Sequence, residues 1–316
     1  MSTSDYTVQT RHLRKRRFQD AKRAWKRIHG TLLPCQEAGY MRYRSVLGFG
    51  GFGVVQKWDV NKPNGTFDRT VAVKGLVNSW EPSRIRALKR EVWWMKQFRG
   101  SEHLVQLVDL DPKLTGALEI NREASDDIDP MIAMEELGRG SLALLIKRML
   151  HMRKANSDLP EEFRAMEYIP NRALWHIFLC LTRACIGMAY PSSTREANSD
   201  GSIRESMHNI PPGVEPRKIV HCDIDIQNTF IADPEPSMRG GPTAIPAEPG
   251  SEHIYNPVIK IADYGCMVEW DDNWDTQTKL ESLWGKRSYK APASAFVSPS
   301  SNGKINRLTA LEGTIQ

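Results

Sequence analysis

A run of glycines near residue 50 is the first segment of the sequence whose composition suggests chemistry. Gly48, Gly50, Gly51 and Gly53 all lie within residues 47–55. Because glycine has no Cβ, a turn built from such residues can bring its backbone N–H groups against phosphate oxygens. Glycine-rich turns are also common in proteins that bind no phosphate, so this segment alone gives only a hypothesis of phosphate binding.

The residues that follow the glycines separate two kinds of phosphate site. A dinucleotide-binding fold requires a helix directly after its glycines. Residues 54–60 (VVQKWDV) are instead rich in valine and aromatic residues, which is typical of a strand. The glycines are therefore expected to close a β-hairpin.

A lysine at the end of the next apolar strand is the second candidate. Lys74 follows residues 71–73 (VAV), and a charge at such a position usually has a partner. Glu91, on the amphipathic helix predicted next, can supply it. An ion pair between the two would hold Lys74 against the α- and β-phosphates of a bound nucleotide. The alternative is an ordinary surface lysine.

Residues further along the chain extend this pattern into one that resembles the eukaryotic protein kinase family. Residues 221–228 (HCDIDIQN) match the catalytic-loop pattern H-R-D-x-x-x-x-N at its His, Asp and Asn, and residues 263–265 (DYG) are similar to the metal-binding triplet. Residues 134–142 (MEELGRGSL) resemble the hinge between the two lobes of a kinase. The resemblance covers roughly residues 43–292, in the family's order.

The resemblance implies a role for each matching residue in ATP-dependent phosphoryl transfer. Asp223 would be the catalytic base, Lys74 and Glu91 would position the phosphates, and Asn228 and Asp263 would offer oxygen ligands to Mg²⁺. Taken singly, each also fits a structural role such as capping a turn. The residues expected to bind the nucleotide are Gly48, Gly50, Gly51, Phe52, Gly53, Val55, Ala72, Lys74, Met134, Glu135 and Leu137. Met134 would be the gatekeeper, and the Glu135 carbonyl and the Leu137 amide would bind adenine.

The sequence departs from the family pattern at three main positions. Cys222 replaces an arginine that often pairs with a phosphorylated activation loop. Asp225 stands where serine/threonine kinases usually carry a lysine near the γ-phosphate, which would place a repulsive charge there. Ala293 replaces the usual glutamate at the end of the activation segment, and 23 residues follow it. The remaining large-lobe helices are therefore expected to be missing, which would leave apolar surface exposed.

Short strands and amphipathic helices must position these residues. Periodicity predicts strands at 43–47, 54–60, 70–75, 104–110 and 131–134, with a helix at 84–98. Helices at 142–152 and 171–188 follow, and then short strands at 218–220, 229–231 and 258–262. The helix at 171–188 is apolar on nearly every side and is expected to be buried on more than one face. Polar, proline-containing stretches near 191–218 and 233–257 indicate insertions.

The N-terminal segment carries the excess positive charge of the chain. Nine of the 43 basic residues and one acidic residue lie within residues 11–27, which gives this segment a charge of +8. Because the net charge is +5, the rest of the chain is about 3 units negative (5 − 8 = −3). Residues 11–29 predict a cationic helix that ends near Gly30. A solvated basic extension is the favoured interpretation, with a nuclear-import signal or contact with an anionic surface as alternatives, so nucleic acid is not the expected partner.

Composition and cysteine spacing restrict the class of protein. The chain has 316 residues and 40% apolar residues, enough for one or two domains with a core. The longest nearly unbroken apolar run, 173–181, is well short of the ~20 residues of a membrane span, and residues 1–10 lack a secretory signal. Five cysteines without a C-x-x-C pair argue against a disulfide framework and against a structural zinc site. An intracellular location, cytoplasmic or nuclear, is therefore expected.

Together these observations predict an α+β protein with a two-lobed, protein-kinase-like fold. The predicted divisions are a basic extension (1–40), a β-rich small lobe (41–134), a mainly helical and incomplete large lobe (135–293) and a disordered tail (294–316). The expected activity is ATP- and Mg²⁺-dependent phosphorylation of protein substrates, on serine or threonine by default. A catalytically impaired relative that binds nucleotide or protein is the alternative. The sequence leaves the oligomeric state open.

Overall fold

The computed structural model describes most of the chain outside its predicted insertions and its C-terminal part. The described residues are 3–51, 53–111, 130–157, 159–161, 164, 167–191, 205–233, 253, 256–275 and 277–278, and of residues 3–15 only the backbone is described. Phe52, residues 279–293 and the predicted tail 294–316 lie outside them. The described part is mixed α and β, which confirms the α+β class. The kinase-like arrangement and the predicted divisions of the chain stay predictions.

A four-stranded antiparallel sheet carries most of the residues predicted to bind a nucleotide. Its spatial order is β1-β2-β3-β4. The strands are β1 (Met41–Phe49), β2 (Gly53–Asn61), β3 (Phe67–Leu76) and β4 (Met131–Glu135). All four were predicted, and the observed strands are longer than expected because pairing with their neighbours continues past the runs of valine and aromatic residues.

The fifth predicted strand, at 104–110, is wrong. This segment forms isolated bridges, of Leu104 with Ile261 and of Leu107 with Met134. The Val105 amide donates to the Ile261 carbonyl at 2.9 Å, and the Val108 amide donates to the β4 backbone at 3.0 Å. Because its hydrogen bonds go first to one partner and then to another, the segment connects β4 to the chain around Ile261 and does not complete a ladder in one sheet.

The N-terminal helix is longer and more buried than the sequence predicted. Helix α1 (Thr3–Glu37) continues past Gly30, so the predicted end there is wrong; the chain leaves the helix at Gly39, whose φ of 78° is readily adopted by glycine. Residues at three- and four-residue steps on one face are buried against the sheet: Ala21, Ala24, Ile28, Leu32 and Cys35. The segment is therefore not a solvated extension, because this apolar stripe forms a core with β1, β2 and β3.

Helix α2 packs on the face of the sheet opposite to α1, against Leu76 and Ile132, and forms the second core. It spans Pro82–Gln97, close to the predicted 84–98, and begins with a proline in its first turn. Leu88, Val92 and Met95 are buried together with Tyr264, from a 3₁₀ turn at Tyr264–Cys266. This packing brings the chain after residue 260 next to the helix that carries Glu91.

The described residues after Leu137 form two α-helices and two small antiparallel sheets. Helix α3 (Leu142–Asn156) starts at Ser141, whose side chain accepts a hydrogen bond from the Leu144 amide, and helix α4 spans Asn171–Ala189. Strand β5 (Ile219–Val220) pairs with β8 (Val268–Glu269), and β6 (Thr229–Ile231) pairs with β7 (Ile259–Ile261). The predicted helices and the three predicted short strands are all present.

Helix α4 buries only one of its faces. Cys180, Ala184, Gly187 and Met188 are buried. The expectation of burial on more than one face is wrong, because Leu174, Trp175, Phe178 and Leu179 are exposed, whereas Ile177 and Leu181 are partly buried against the core. The expected exposed apolar surface is confirmed by Trp175, which is 70% exposed. Among the described residues, no helix has both the length and the apolar character that a membrane span requires.

Candidate functional site

Lys74 is the centre of the candidate site. Its Nζ lies 2.8 Å from both carboxylate oxygens of Glu91, on α2. The same Nζ lies 3.0 Å from Oδ1 of Asp263, which is 189 residues away in the sequence. The predicted pair of Lys74 with Glu91 is present, and Asp263 adds a third charged group to it.

The charges of Lys74, Glu91 and Asp263 change the pKa values of Lys74 and Glu91. Burial opposes the charge of Lys74, but Asp263 and Glu91 outweigh it and raise the pKa of the ammonium. Burial, with a smaller contribution from Asp263, raises the pKa of Glu91 to about 7 in spite of the attraction of Lys74. With all three groups ionised, one positive and two negative charges leave a net charge of −1, which favours the approach of a cation.

The register of the sheet places the predicted nucleotide-binding side chains on one face. Val55 pairs with Lys74 across β2 and β3, and Ala72 pairs with Met134 across β3 and β4. Because side chains two apart in a strand share a face, Ala72 and Lys74 project to the same side, opposite to Val73. Val73 is buried in the α1 core. One face of the sheet therefore packs against α1, and the opposite face carries the side chains of the candidate site.

The glycine segment closes the β1–β2 hairpin, as its sequence predicted. The Gly50 amide donates to the Gly53 carbonyl at 2.9 Å. A Cβ added at Gly48, Gly50 or Gly51 would meet nothing within 4 Å, so the space beside these residues is open. At Gly53 a Cβ would lie 2.9 Å from the Gly75 carbonyl oxygen and 3.5 Å from side-chain carbons of Lys74. Gly53 therefore allows the hairpin to lie close to Lys74.

Two contacts that the sequence did not predict hold this hairpin. Arg84, in the first turns of α2, donates to the Gly51 carbonyl. The ring of Phe18, on α1, makes an edge contact with Phe49 at a centroid distance of 6.1 Å. Both flanking helices therefore touch the glycine segment.

The loop at residues 221–228 is organised by its own side chains. The side-chain nitrogen Nδ2 of Asn228 donates to the backbone oxygen of Asp223 at 2.9 Å and to the Asp223 carboxylate Oδ2 at 2.8 Å. The buried carboxylate of Asp225 accepts from the backbone N–H of Gln227 at 2.6 Å and from the backbone N–H of Asn228 at 3.0 Å. The Asp225 carboxylate is therefore directed at the backbone of the loop, and the repulsive charge beside a phosphate stays a prediction.

His221 is a buried, neutral support of the same loop. Its Nδ1 accepts a hydrogen bond from the Asp223 amide at 3.3 Å, and its ring makes an edge contact with Tyr264 at 5.8 Å. Burial lowers the pKa of His221 to about 4, against the opposing influence of Asp263 and Asp225. The imidazole therefore stays uncharged near pH 7.

Backbone strain is concentrated at the same place. Among the described residues other than glycine, only Cys222 and Asp263 have a positive φ, of 63° and 68°. Such conformations cost of the order of 1 kcal/mol or more and persist where the surroundings fix them. Next to Asp263, the hydroxyl of the fully buried Tyr264 donates to the Ile261 carbonyl at 2.6 Å, so the tyrosine has a partner for the one atom that distinguishes it from phenylalanine.

Cys266 is a half-buried thiol three residues after Asp263. Burial and then the carboxylates of Asp263 and Asp223 raise the pKa of its thiol to about 11. The two carboxylates therefore act on one common side chain, which keeps its proton near pH 7.

Residues 134–142, which resemble a kinase hinge in sequence, offer a backbone donor beside the sheet. Among the described residues, the Leu137 amide makes no hydrogen bond, while the Leu137 carbonyl accepts from Gly140 at 3.0 Å. The side chain of Glu135 is engaged: it accepts from the Gln106 amide at 2.9 Å and from Lys260. The Leu137 amide therefore fits the predicted contact with adenine.

The donor set fits a hard divalent cation. The nitrogen of the Asn228 side chain is used by Asp223, so its oxygen is the end that remains for a ligand, and amide and carboxylate oxygens suit Mg²⁺. The side chain of Asp263 is 39% exposed and lies in a cluster of net negative charge. Asn228 and Asp263 are the residues that would hold the ion.

Comparison of the chain with protein-family models and with curated proteins gives no match. The geometry joins Lys74, Glu91 and Asp263 in one cluster. It also joins Asp223 and Asn228 in the loop at 221–228, where the Asn228 carbonyl accepts from the Ala262 backbone amide at 2.9 Å, next to Asp263. Phe52 is outside the described residues, and the other predicted nucleotide contacts stay predictions. Arg84 and Lys260 were missed; the only signal for them was a basic residue in the first turn of a helix and a lysine in an apolar strand.

Proposed function

We propose that this protein transfers the γ-phosphate of ATP to protein hydroxyls. The observation that carries the proposal is the contact of Lys74 with both Glu91 and Asp263, since it joins a strand, a helix and a distant loop around one buried ammonium. In protein kinases a strand lysine paired with a helix glutamate, near a metal-binding aspartate, serves to bind the phosphates.

The face of the sheet supports binding of the base and the phosphates. Val55, Ala72 and Met134 offer apolar contacts for a purine, and the Leu137 amide offers a hydrogen-bond donor. The ammonium of Lys74, kept charged by its carboxylate partners, would bind phosphate oxygens. The open space beside the glycines allows their backbone to approach the phosphates.

Asp223 is the residue assigned to the acceptor hydroxyl. One of its carboxylate oxygens is held by Asn228 at 2.8 Å, which fixes the orientation of the side chain. A carboxylate held in this way would orient the hydroxyl and accept its proton as the phosphoryl group moves to the hydroxyl oxygen. Mg²⁺, bound by Asn228 and Asp263, would supply neutralisation of the phosphate charge. Serine or threonine as the acceptor rests on the family resemblance alone.

Single-turnover transfer from γ-labelled ATP tests the proposal. The full chain is mixed with Mg²⁺, labelled ATP and dephosphorylated casein, and label on casein and on the chain itself is measured. Asp223→Asn should reduce transfer by about 100-fold or more while ATP binding is kept. Asp20→Asn, on an exposed surface of α1, is the matched control and should transfer like the wild type.

Two outcomes would contradict the proposal. Equal labelling by wild type and Asp223→Asn would exclude Asp223 as the base. Wild type that binds ATP but transfers no label would replace the enzyme with the alternative, a nucleotide-binding module without catalysis.

A further inference from the structure

A second cluster of reactive side chains lies outside the residues assigned to phosphoryl transfer. It contains His103, in the loop after α2, Cys180 on α4, and His253 from the second predicted insertion. One ligand atom of each lies within 4.8 Å of the others. The three residues are 0–2% exposed, so these groups face one another in the protein interior.

The two histidines direct ring nitrogens at each other. Nε2 of His103 lies 3.0 Å from Nε2 of His253. In a tetrahedral zinc site with Zn–N bonds of about 2.05 Å, two ligand nitrogens are about 3.3 Å apart. The separation is therefore close to the one that a shared metal ion imposes, and the Cys180 sulfur is the third ligand atom of the group.

A buried carboxylate orients the first of these histidines. Oε2 of Glu205 lies 2.8 Å from Nδ1 of His103, and Oε1 accepts from the His103 backbone amide at 3.0 Å. A proton on Nδ1 leaves the lone pair of His103 on Nε2, which faces His253. Histidine ligands of metals commonly donate their other N–H to a carboxylate in this way. Glu205 is itself fully buried.

The charges and the remaining neighbours agree with a divalent cation. A Cys180 thiolate and the carboxylates of Glu205 and Glu102 together carry −3, which one divalent ion and the Arg183 guanidinium, a donor to the Glu205 carbonyl, balance. Nε2 of His176 lies 3.6 Å from the Cys180 sulfur and 3.1 Å from the Pro257 carbonyl oxygen. Because this nitrogen is shared between the two, His176 serves as a neighbour that positions Cys180. A Glu102 oxygen 3.8 Å from His253 Nε2 can complete the coordination.

From this arrangement we infer that His103, Cys180 and His253 form a structural Zn²⁺ site, with Glu205 as a positioning residue. Two imidazoles and one thiolate suit Zn²⁺ and do not suit Mg²⁺. The site joins the loop after α2 to α4 and to both predicted insertions, since Glu205 belongs to 191–218 and His253 to 233–257. The sequence argued against zinc because its cysteines are not paired, and this site needs only one cysteine.

Metal content of the full chain is the direct test. The protein is expressed in medium supplemented with Zn²⁺, purified without chelator and measured by mass spectrometry of its metals. We expect about one Zn²⁺ per chain in the wild type and a loss of zinc in Cys180→Ser and His253→Ala. Cys185→Ser, on the same helix but exposed, is the matched control and should keep its zinc.

Co²⁺ titration of the metal-free wild type keeps the test independent of whether the variants fold. A thiolate-to-metal charge-transfer band would support ligation by Cys180. Intense visible absorption beside that band would support tetrahedral geometry. Glu205→Gln should weaken binding by about 10–100-fold. Wild type that contains no zinc and gives no spectral change with Co²⁺ would overturn the inference, and the cluster would then be a metal-free ion pair of His103 with Glu205.

Discussion

Lys260 binds both carboxylate oxygens of Glu135, with Nζ 2.7 Å from Oε1 and 3.0 Å from Oε2. Lys260 lies on β7, shortly before Asp263, and Glu135 is the last residue of β4. This ion pair therefore connects the strand that leads to the candidate metal ligand with the segment that leads to the candidate adenine contact.

We expect Lys260 and Glu135 to be energetically coupled. Lys260→Met, Glu135→Gln and the double variant form a cycle whose coupling energy, from denaturant unfolding, should be about 0.5–3 kcal/mol because the pair is largely shielded from water. The exposed pair Arg139 and Asp233 is the control and should give less than about 1 kcal/mol. Additive effects of Lys260→Met and Glu135→Gln would contradict the structural role of this contact.

Gly53 and Gly48 should respond differently to the same substitution. At Gly53 a methyl group would lie 2.9 Å from the Gly75 carbonyl oxygen, whereas at Gly48 it would meet nothing within 4 Å. Gly53→Ala is expected to reduce the free energy of unfolding by about 1–3 kcal/mol because the backbone must shift. Gly48→Ala should change it by less than about 1 kcal/mol. Thermal unfolding of both variants compares them, and equal stability would show that β2 does not approach β3 as closely as described.

Helix α1 should contribute directly to the stability of the sheet. Ile28 is 1% exposed and packs at Gly75, where an added Cβ would lie 2.6 Å from its Cδ1. Ile28→Ala is expected to cost about 2–5 kcal/mol of unfolding free energy. The exposed Lys26 on the same helix is the control, and Lys26→Ala should stay within about 0.5 kcal/mol of the wild type. A negligible effect of Ile28→Ala would return α1 to the status of a solvated extension.

His221 should make stability depend on pH in acid. Its pKa is lowered from 6.5 to about 4 in the folded chain, so between these values the unfolded chain binds a proton that the folded chain does not. The contribution of His221 is therefore fully present above pH 6.5 and is lost as the pH falls to about 4, by up to about 3 kcal/mol.

Unfolding free energies of wild type and His221→Gln, measured from pH 7 to pH 4, check this. The stability advantage of the wild type over His221→Gln should shrink as the pH falls from 6.5 to about 4. A constant difference for His221→Gln would mean that the imidazole titrates alike in both states.

The fold was predictable where local pattern and tertiary packing agree. Strands rich in valine, such as β2, and the amphipathic helix α2 follow their periodicity. The segment at 104–110 has the composition of a strand, but its backbone bonds are divided between Ile261 and Ala133, and a sequence does not reveal such a division. Helix α1 was interpreted as a solvated extension because its basic residues dominate the sequence pattern, whereas the apolar stripe from Ala21 to Cys35 that packs on the sheet is narrow.

The candidate site was predictable from motif order, while its supporting contacts were not. Lys74, Glu91 and Asp263 each belong to a short recognisable pattern, so their types were informative before their positions were known. Asp225 was placed by analogy with a lysine, yet its carboxylate caps the loop backbone, which is a local role that depends on φ and ψ. The cluster around His103 draws residues from four separate segments, and no local spacing signals it.

Binding of ATP to the full chain, measured by calorimetry with Mg²⁺ and again with a chelator, tests most directly whether Lys74 and Asp263 serve one nucleotide. With Mg²⁺ the wild type should bind, and Lys74→Met and Asp263→Asn should each weaken binding by about 10-fold or more, or about 1.4 kcal/mol, while the exposed control Lys62→Met should not. With the chelator Lys74→Met should still weaken binding, whereas Asp263→Asn should weaken it less than it does with Mg²⁺, because the part of its effect that passes through the ion is then absent. Wild type that binds no ATP, or an Asp263→Asn variant with unchanged Mg²⁺ dependence, would contradict the account.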